Sequence, residues 1–136
     1  MLIVDAGPLY AAAARRDRDH RRCVQLLAAA PRPLVVPDLV VTEVSYLLSD
    51  RLGSHPELAF GRALAAAELL VEPVLPSDWA RVVELMERYA DLPLGMVDAS
   101  IVAIAERLGV RSIATLDRRH FAVVRPRHVT AFELLP

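Results

Sequence analysis

The chain has 136 residues, enough for one domain (1–136) that buries about two-thirds of its unfolded surface. It is 54% hydrophobic and 24% charged, as soluble globular proteins are, and no apolar stretch reaches the ~20 residues that span a bilayer. A net charge of -1 gives no bulk attraction to nucleic acid, and a lone cysteine, Cys23, excludes an internal disulfide framework, so a reducing cytoplasm is the simplest home.

Leu2 to Asp5 is a short apolar run suited to a buried parallel strand, and Gly7-Pro8 breaks it. Leu9 to Ala14 starts a helix, and Asp17 to Ala30 reads as a second one, stopped by Pro31 and Pro33. Leu34-Val35-Val36 is the second strand. Pro37-Asp38 opens a helix through Leu52, with Val40, Val44, Leu47 and Leu48 at helical spacing and Gly53 at its end. Pro56 to Leu70 predicts an alanine-rich helix. Val71 to Leu75 is a third strand, which Pro73 assigns to a sheet edge.

Ser77-Asp78 caps a helix through Tyr89, in which Trp79 is expected to pack onto the sheet. Pro93 and Gly95 make a loop. Asp98 begins an apolar helix through Leu108, with Gly109 as its stop. Ser112 to Leu116 is the fourth strand, and His128 to Phe132 is a candidate fifth. Strands alternating with helices over the whole length predict a three-layer α/β/α sandwich with a mainly parallel sheet.

Four acids stand where such a fold brings side chains together. Asp5 and Asp117 come directly after strands, and Asp98 opens a helix. In open parallel sheets, sites form beyond the carboxyl ends of the strands, where the next helices also begin. Glu43 lies about one turn into its helix, within the apolar stretch Val40-Val41-Thr42-Glu43-Val44, an unusual setting for an exposed glutamate. Each residue alone has an ordinary explanation, as a helix cap, a turn former or a solvated helix residue. Together, at close range, they repel one another and cannot all stay ionised without something positive between them. A hard dication such as Mg²⁺ or Mn²⁺ takes oxygen ligands of this kind.

All 16 basic residues are arginine. Biased composition explains that, as does selection for bidentate phosphate grip; the candidates cluster at Arg15, Arg16, Arg18, Arg21 and Arg22, placed at the opening of the cleft, and at Arg118 and Arg119. His20 and Cys23 lack the partners for a soft-metal site. His120 reads as a packed or solvated loop residue rather than a general acid.

Three stretches resemble the PIN-domain ribonucleases, specifically the VapC-type toxins of bacterial toxin–antitoxin pairs. They are Leu2-Ile3-Val4-Asp5-Ala6-Gly7-Pro8-Leu9, then Pro37 through Val44, then Val97-Asp98-Ala99-Ser100-Ile101 through Ile113-Ala114-Thr115-Leu116-Asp117-Arg118-Arg119-His120-Phe121. The resemblance implies that Asp5, Glu43, Asp98 and Asp117 hold Mg²⁺ or Mn²⁺, with Thr115 as the hydroxyl beside the last acid and Asp91 as a possible auxiliary acid or an ordinary turn residue. It implies hydrolysis of an RNA phosphodiester leaving a 5′-phosphate and a 3′-hydroxyl, a small antitoxin that covers the metal site, and a homodimer. Glu43 is open to ligating directly, through water, or positioning the attacking water, and one ion or two is equally open. One departure stands out: many relatives carry Ser or Thr after the first acid, where this chain has Ala6.

Other α/β readings lack their residues. A receiver domain needs paired acids after the first strand and a lysine; a dinucleotide-binding fold needs a glycine-rich turn there; a haloacid-dehalogenase-like phosphatase needs an acid where Gly7 stands. The remaining alternative is a catalytically silent PIN-like module that binds RNA or protein.

Overall fold

A computed structural model of Met1–Pro136 has β1 (Leu2–Val4) at the centre of a five-stranded sheet. Around it the chain runs α1 (Ala6–Ala13), α2 (His20–Ala29), β2 (Leu34–Pro37), α3 (Asp38–Arg51), α4 (Ser54–Ala65), β3 (Leu70–Glu72), α5 (Pro76–Arg88), α6 (Met96–Leu108), β4 (Ser112–Ala114) and β5 (Glu133–Leu135). The strand order is β3-β2-β1-β4-β5, and every neighbouring pair is parallel. The chain steps outward from β1 to β3, then crosses back to β4. β1 and β4 therefore flank the point where the winding direction reverses, and the crevice at their carboxyl ends is where such sheets bind ligands.

The crossovers between parallel strands put the helices on both faces. α1 packs on α2 and α3, and α3 on α4, while α5 pairs with α6. The core is the sheet and α6. β1 and β2 are wholly buried, as continuous apolar strands between two helical layers must be. In α6 every residue from Ala99 to Ala105 is buried, so this helix is apolar on all sides. Its one hydroxyl there, Ser100 Oγ, donates to Val97 O at 2.6 Å. Gly109, at φ 68°, ends α6 in the left-handed conformation that side chains disfavour.

Several boundaries differ from the sequence expectation. α1 starts directly after Asp5, with Gly7-Pro8 inside its first turn; a missing N–H has no cost where no intrahelical acceptor exists. α2 starts at His20 rather than Asp17, because the Asp17 carboxylate accepts from the Asp19 N–H at 2.8 Å and stabilises a turn instead. α4 stops at Ala65, not Leu70: Ala67 has φ 56°, and Leu70 pairs with Val35 in β3, which is an edge strand as Pro73 implied.

The fifth strand is Glu133–Leu135, not His128–Phe132. The latter residues pack instead, His128 Nε2 lying 2.7 Å from Val110 O and Phe132 meeting Phe121 edge-on. Trp79 does not pack onto the sheet; it is 38% exposed on α5, whose inward residues are Val82 and Leu85. The α5 cap also lies elsewhere than expected. Leu75 is the N-cap, and Asp78, inside the first turn, accepts from the Leu75 N–H at 2.9 Å.

Candidate active site

β1 ends at Val4, and the next residue aims a carboxylate into the crevice. Asp5 is also the N-cap of α1: its Oδ1 accepts from the Ala6 N–H at 2.7 Å, and its backbone N–H donates to Ala114 O of β4 at 2.9 Å. Thr115, fully buried at the end of β4, donates its hydroxyl to Asp5 Oδ2 at 2.9 Å, with Asp117 O a longer alternative at 3.2 Å. Both Asp5 oxygens are thereby oriented, one from the start of α1 and the other from the end of β4. Gly7 permits the close approach of this corner: a Cβ there would meet Leu116 Cβ at 3.3 Å.

Asp5, Glu43, Asp98 and Asp117 line one cavity of about 330 Å³ together with Ala6, Gly7, Leu47, Val97 and Leu116. The structure thus brings all four acids to one place, from β1, α3, α6 and the segment after β4. Asp98 is the third residue of α6, whose N-cap is Gly95, so its carboxylate is not an N-cap. Glu43 stays open to solvent on α3.

The electrostatics differ residue by residue. Burial raises the Asp5 carboxyl above the usual carboxylate range, against the lowering effect of the Ala6 N–H and Thr115 hydroxyl, and Asp98 and Asp117 raise it further. Glu43 is raised by partial burial and then by Asp5 and Asp98. Neither Asp5 nor Glu43 has a basic side chain as a partner. Asp117 is the opposite case: the Arg119 guanidinium, donating at 2.7 and 2.9 Å, holds it down to about 2.

A donor set made only of carboxylate oxygens has the chemistry of a hard-cation site, and the raised Asp5 and Glu43 are negative charge that nothing in the protein neutralises. As they stand, no three of the acids draw together closely enough to cage an ion. Asp117 is turned to Arg119. Asp98 is engaged by His120, whose Nδ1 lies 2.6 Å from Asp98 Oδ2, where the sequence predicts only a packed or solvated loop residue. Its one signal in the sequence is its spacing, three residues past Asp117 and just before the apolar Phe121.

Other candidates sit apart. Asp91 is exposed in the turn after α5 and does not line the cavity. Arg119 is engaged by Asp117, and the exposed Arg118 sets one guanidinium nitrogen on the Pro136 oxygen. Arg15 and Arg16 lie past the far end of α1 from Asp5, about 12 Å along the helix, and line other cavities rather than flanking this one.

The PIN domain family model matches residues 2–125. Ribonuclease VapC26 of Mycobacterium tuberculosis is 32% identical over 135 residues, which are 99% of this chain and 100% of that protein. Two solved structures share the fold. VapC20 of Mycobacterium tuberculosis, a sarcin–ricin loop cleaving toxin, superposes with a TM-score of 0.84 at 22% identity, over 96% of this chain and 99% of that one. FitAcB from Neisseria gonorrhoeae does so with a TM-score of 0.67 at 15% identity, over 100% of this chain and 97% of that one.

Proposed function

This chain belongs to the PIN-domain family, and from that premise we propose that it is a Mg²⁺- or Mn²⁺-dependent endoribonuclease toxin held in check by a small protein antitoxin. The observation that carries the reading is the meeting of Asp5, Glu43, Asp98 and Asp117 in one cavity at the reversal point of the sheet. The 32% identical relative, named a ribonuclease over its full length, supports the reaction class.

Asp5, Asp98 and Asp117 are the proposed metal ligands, and Glu43 ligates or orients the attacking water. A dication bound there supplies charge neutralisation at the phosphoryl and leaving oxygens and activates water for in-line attack. The protein's own part is orientation. The Ala6 N–H and Thr115 hydroxyl fix Asp5 before any ligand arrives, so little reorganisation of that carboxylate remains. Leu47, Val97 and Leu116 wall the cavity with apolar surface. If Asp117 were to ligate an ion, Arg119, now paired with it, would be left beside the site with a guanidinium suited to an RNA phosphate.

For the antitoxin, α4 supplies the support. None of its residues is fully buried, and apolar cavities of about 650 and 560 Å³ run along it, lined among others by Leu9, Phe60 and Leu69. Leu47, Phe60 and Leu69 pack partly on the core, whereas Tyr46 is 66% exposed. Its likeness to VapC-type toxins supports a cytoplasmic homodimer as part of the same proposal.

The test is RNA-end mapping in cells expressing the wild type or Asp98→Asn, paired with cleavage by the purified proteins in Mn²⁺ or chelator. New 5′-phosphate ends in the wild type alone, abolished by chelation, are expected. Absence of such ends in the wild type would favour a silent binding module.

A further inference from the structure

We propose that His120 is a positioning residue for Asp98, fixing which carboxylate oxygen faces the cavity and thereby setting the affinity of the acidic site for a divalent cation. The inference rests on the metal-dependent reading of that site.

The contact is short and directional. His120 Nδ1 lies 2.6 Å from Asp98 Oδ2, with both side chains largely out of solvent, at 21% and 26% exposure. An ionised carboxylate only accepts hydrogen bonds, so the Nδ1 atom must carry the proton and donate it. Asp98 Oδ2 is thereby engaged. Oδ1 has no partner within the protein, yet it is not a buried orphan, since the sole buried side-chain atom left unpartnered is His128 Nδ1. It is therefore accessible, on a side chain that lines the cavity.

His120 is itself held in place. Its carbonyl accepts from the N–H groups of both Val123 and Val124 at 3.1 Å, and the Ala122 N–H donates to Arg118 O at 2.9 Å. The next residue, Phe121, is 2% exposed and packs edge-on against Phe132, with ring centroids 6.5 Å apart. Burying Phe121 pins the turn after Asp117, and that turn delivers the imidazole to the first turn of α6. A core aromatic on one segment thus orients a carboxylate on another. Without this bond, the Asp98 side chain would have rotamers to lose on meeting an ion, and affinity would fall accordingly.

The test compares wild type with His120→Ala, His120→Asn and His120→Gln for Mn²⁺ binding, by calorimetry or by the electron paramagnetic resonance of free Mn²⁺. An asparagine amide nitrogen sits where Nδ1 was; that of glutamine sits where Nε2 was. His120→Ala and His120→Gln are expected to bind Mn²⁺ about ten- to a hundredfold more weakly, with His120→Asn retaining most of the affinity. In RNA cleavage at fixed Mn²⁺, kcat falls in step while KM for RNA stays put. Thermal unfolding of metal-free His120→Asn and His120→Ala separates a folding defect from a binding one. Wild-type Mn²⁺ affinity in His120→Ala, or equal losses in the Asn and Ala variants, would overturn the proposal alone. A wild type that binds no Mn²⁺ would overturn it together with the reading on which it rests.

Discussion

Two regions of this molecule concentrate carboxylates, and they treat them in opposite ways. Between α5 and α6, Arg81 forks onto Glu106 at 2.9 Å and reaches Glu84 at 3.2 Å, while Arg127 also binds Glu84. Arg107 holds Asp78 at 3.1 Å, Glu72 at 2.8 Å and the Pro73 carbonyl. Every acid there faces a guanidinium, and Arg81 and Arg107 are raised in pKa by those bonds. At the crevice, Asp5 and Glu43 are raised instead, by burial and by one another's neighbours, with no guanidinium in reach. The first region is an internally neutralised clamp that fastens α6 to α5 and to the end of β3. The second engages Asp117 with Arg119 and Asp98 with His120 but leaves Asp5 and Glu43 without a basic partner, as charge for something the chain does not itself provide.

The strongest way to break that contrast is to neutralise the crevice. Asp5→Asn or Asp98→Asn should lower RNA cleavage by orders of magnitude, read as initial rate in Mn²⁺, because each removes a charge meant for the ion. Activity left intact in either purified variant would sink the site assignment. Next in size is the clamp. Asp78→Ala leaves Arg107 without its least exposed partner and the Leu75 N–H without its acceptor, and should cost about 3 kcal/mol in urea unfolding. Cleavage per folded molecule should survive; if it vanished, the two regions would not be separable.

Smaller effects come from pH. A carboxyl whose folded pKa lies above its unfolded one binds its proton more tightly when folded. The share of metal-free stability carried by Asp5 and Glu43 is therefore present in acid and lost as pH rises through their raised pKa values. Mn²⁺ competes with those same protons, so its affinity should climb across that range while metal-free Tm declines. Metal-free Asp5→Asn should lose the Asp5 share of that pH slope, and a slope unchanged by the substitution would assign it elsewhere. Asp117 has the opposite sign. Held at about 2, it contributes stability above its unfolded pKa that is lost only as pH falls toward 2.

The smallest expected effect is that of Arg119→Ala. Its pair with Asp117 is largely solvent-exposed, so Tm should hardly move, while Mn²⁺ affinity should rise as a competitor for Asp117 disappears. A fall in Mn²⁺ affinity would mean that Arg119 supports the site rather than occupying one of its ligands.

Chain order alone was enough to place Asp5 directly after a strand and Asp98 in the first turn of a helix; Glu43 stands a turn into α3, and Asp117 lies three residues past β4, which ends at Ala114 and not at Leu116. Apolar runs too short for helices mark buried strands, and parallel strands aim their C-terminal neighbours at one edge. Period, proline and glycine likewise marked the α/β alternation and the edge position of β3. No local pattern carried pairing between residues distant in sequence. Thr115 meeting Asp5, His120 meeting Asp98 and Phe132 meeting Phe121 arise only when β4 lies beside β1 and the next turn folds under its own buried aromatic. The same holds for the end of α4 and the position of β5, where an edge pairing and an aromatic contact outcompeted propensity, whereas the start of α2 was set locally, by the Asp17 side-chain turn. Residue type sets which charges exist and roughly where along the chain they stand; which of them are neutralised, and which are left for a ligand, depends on distances of a few ångströms that only the packed fold defines.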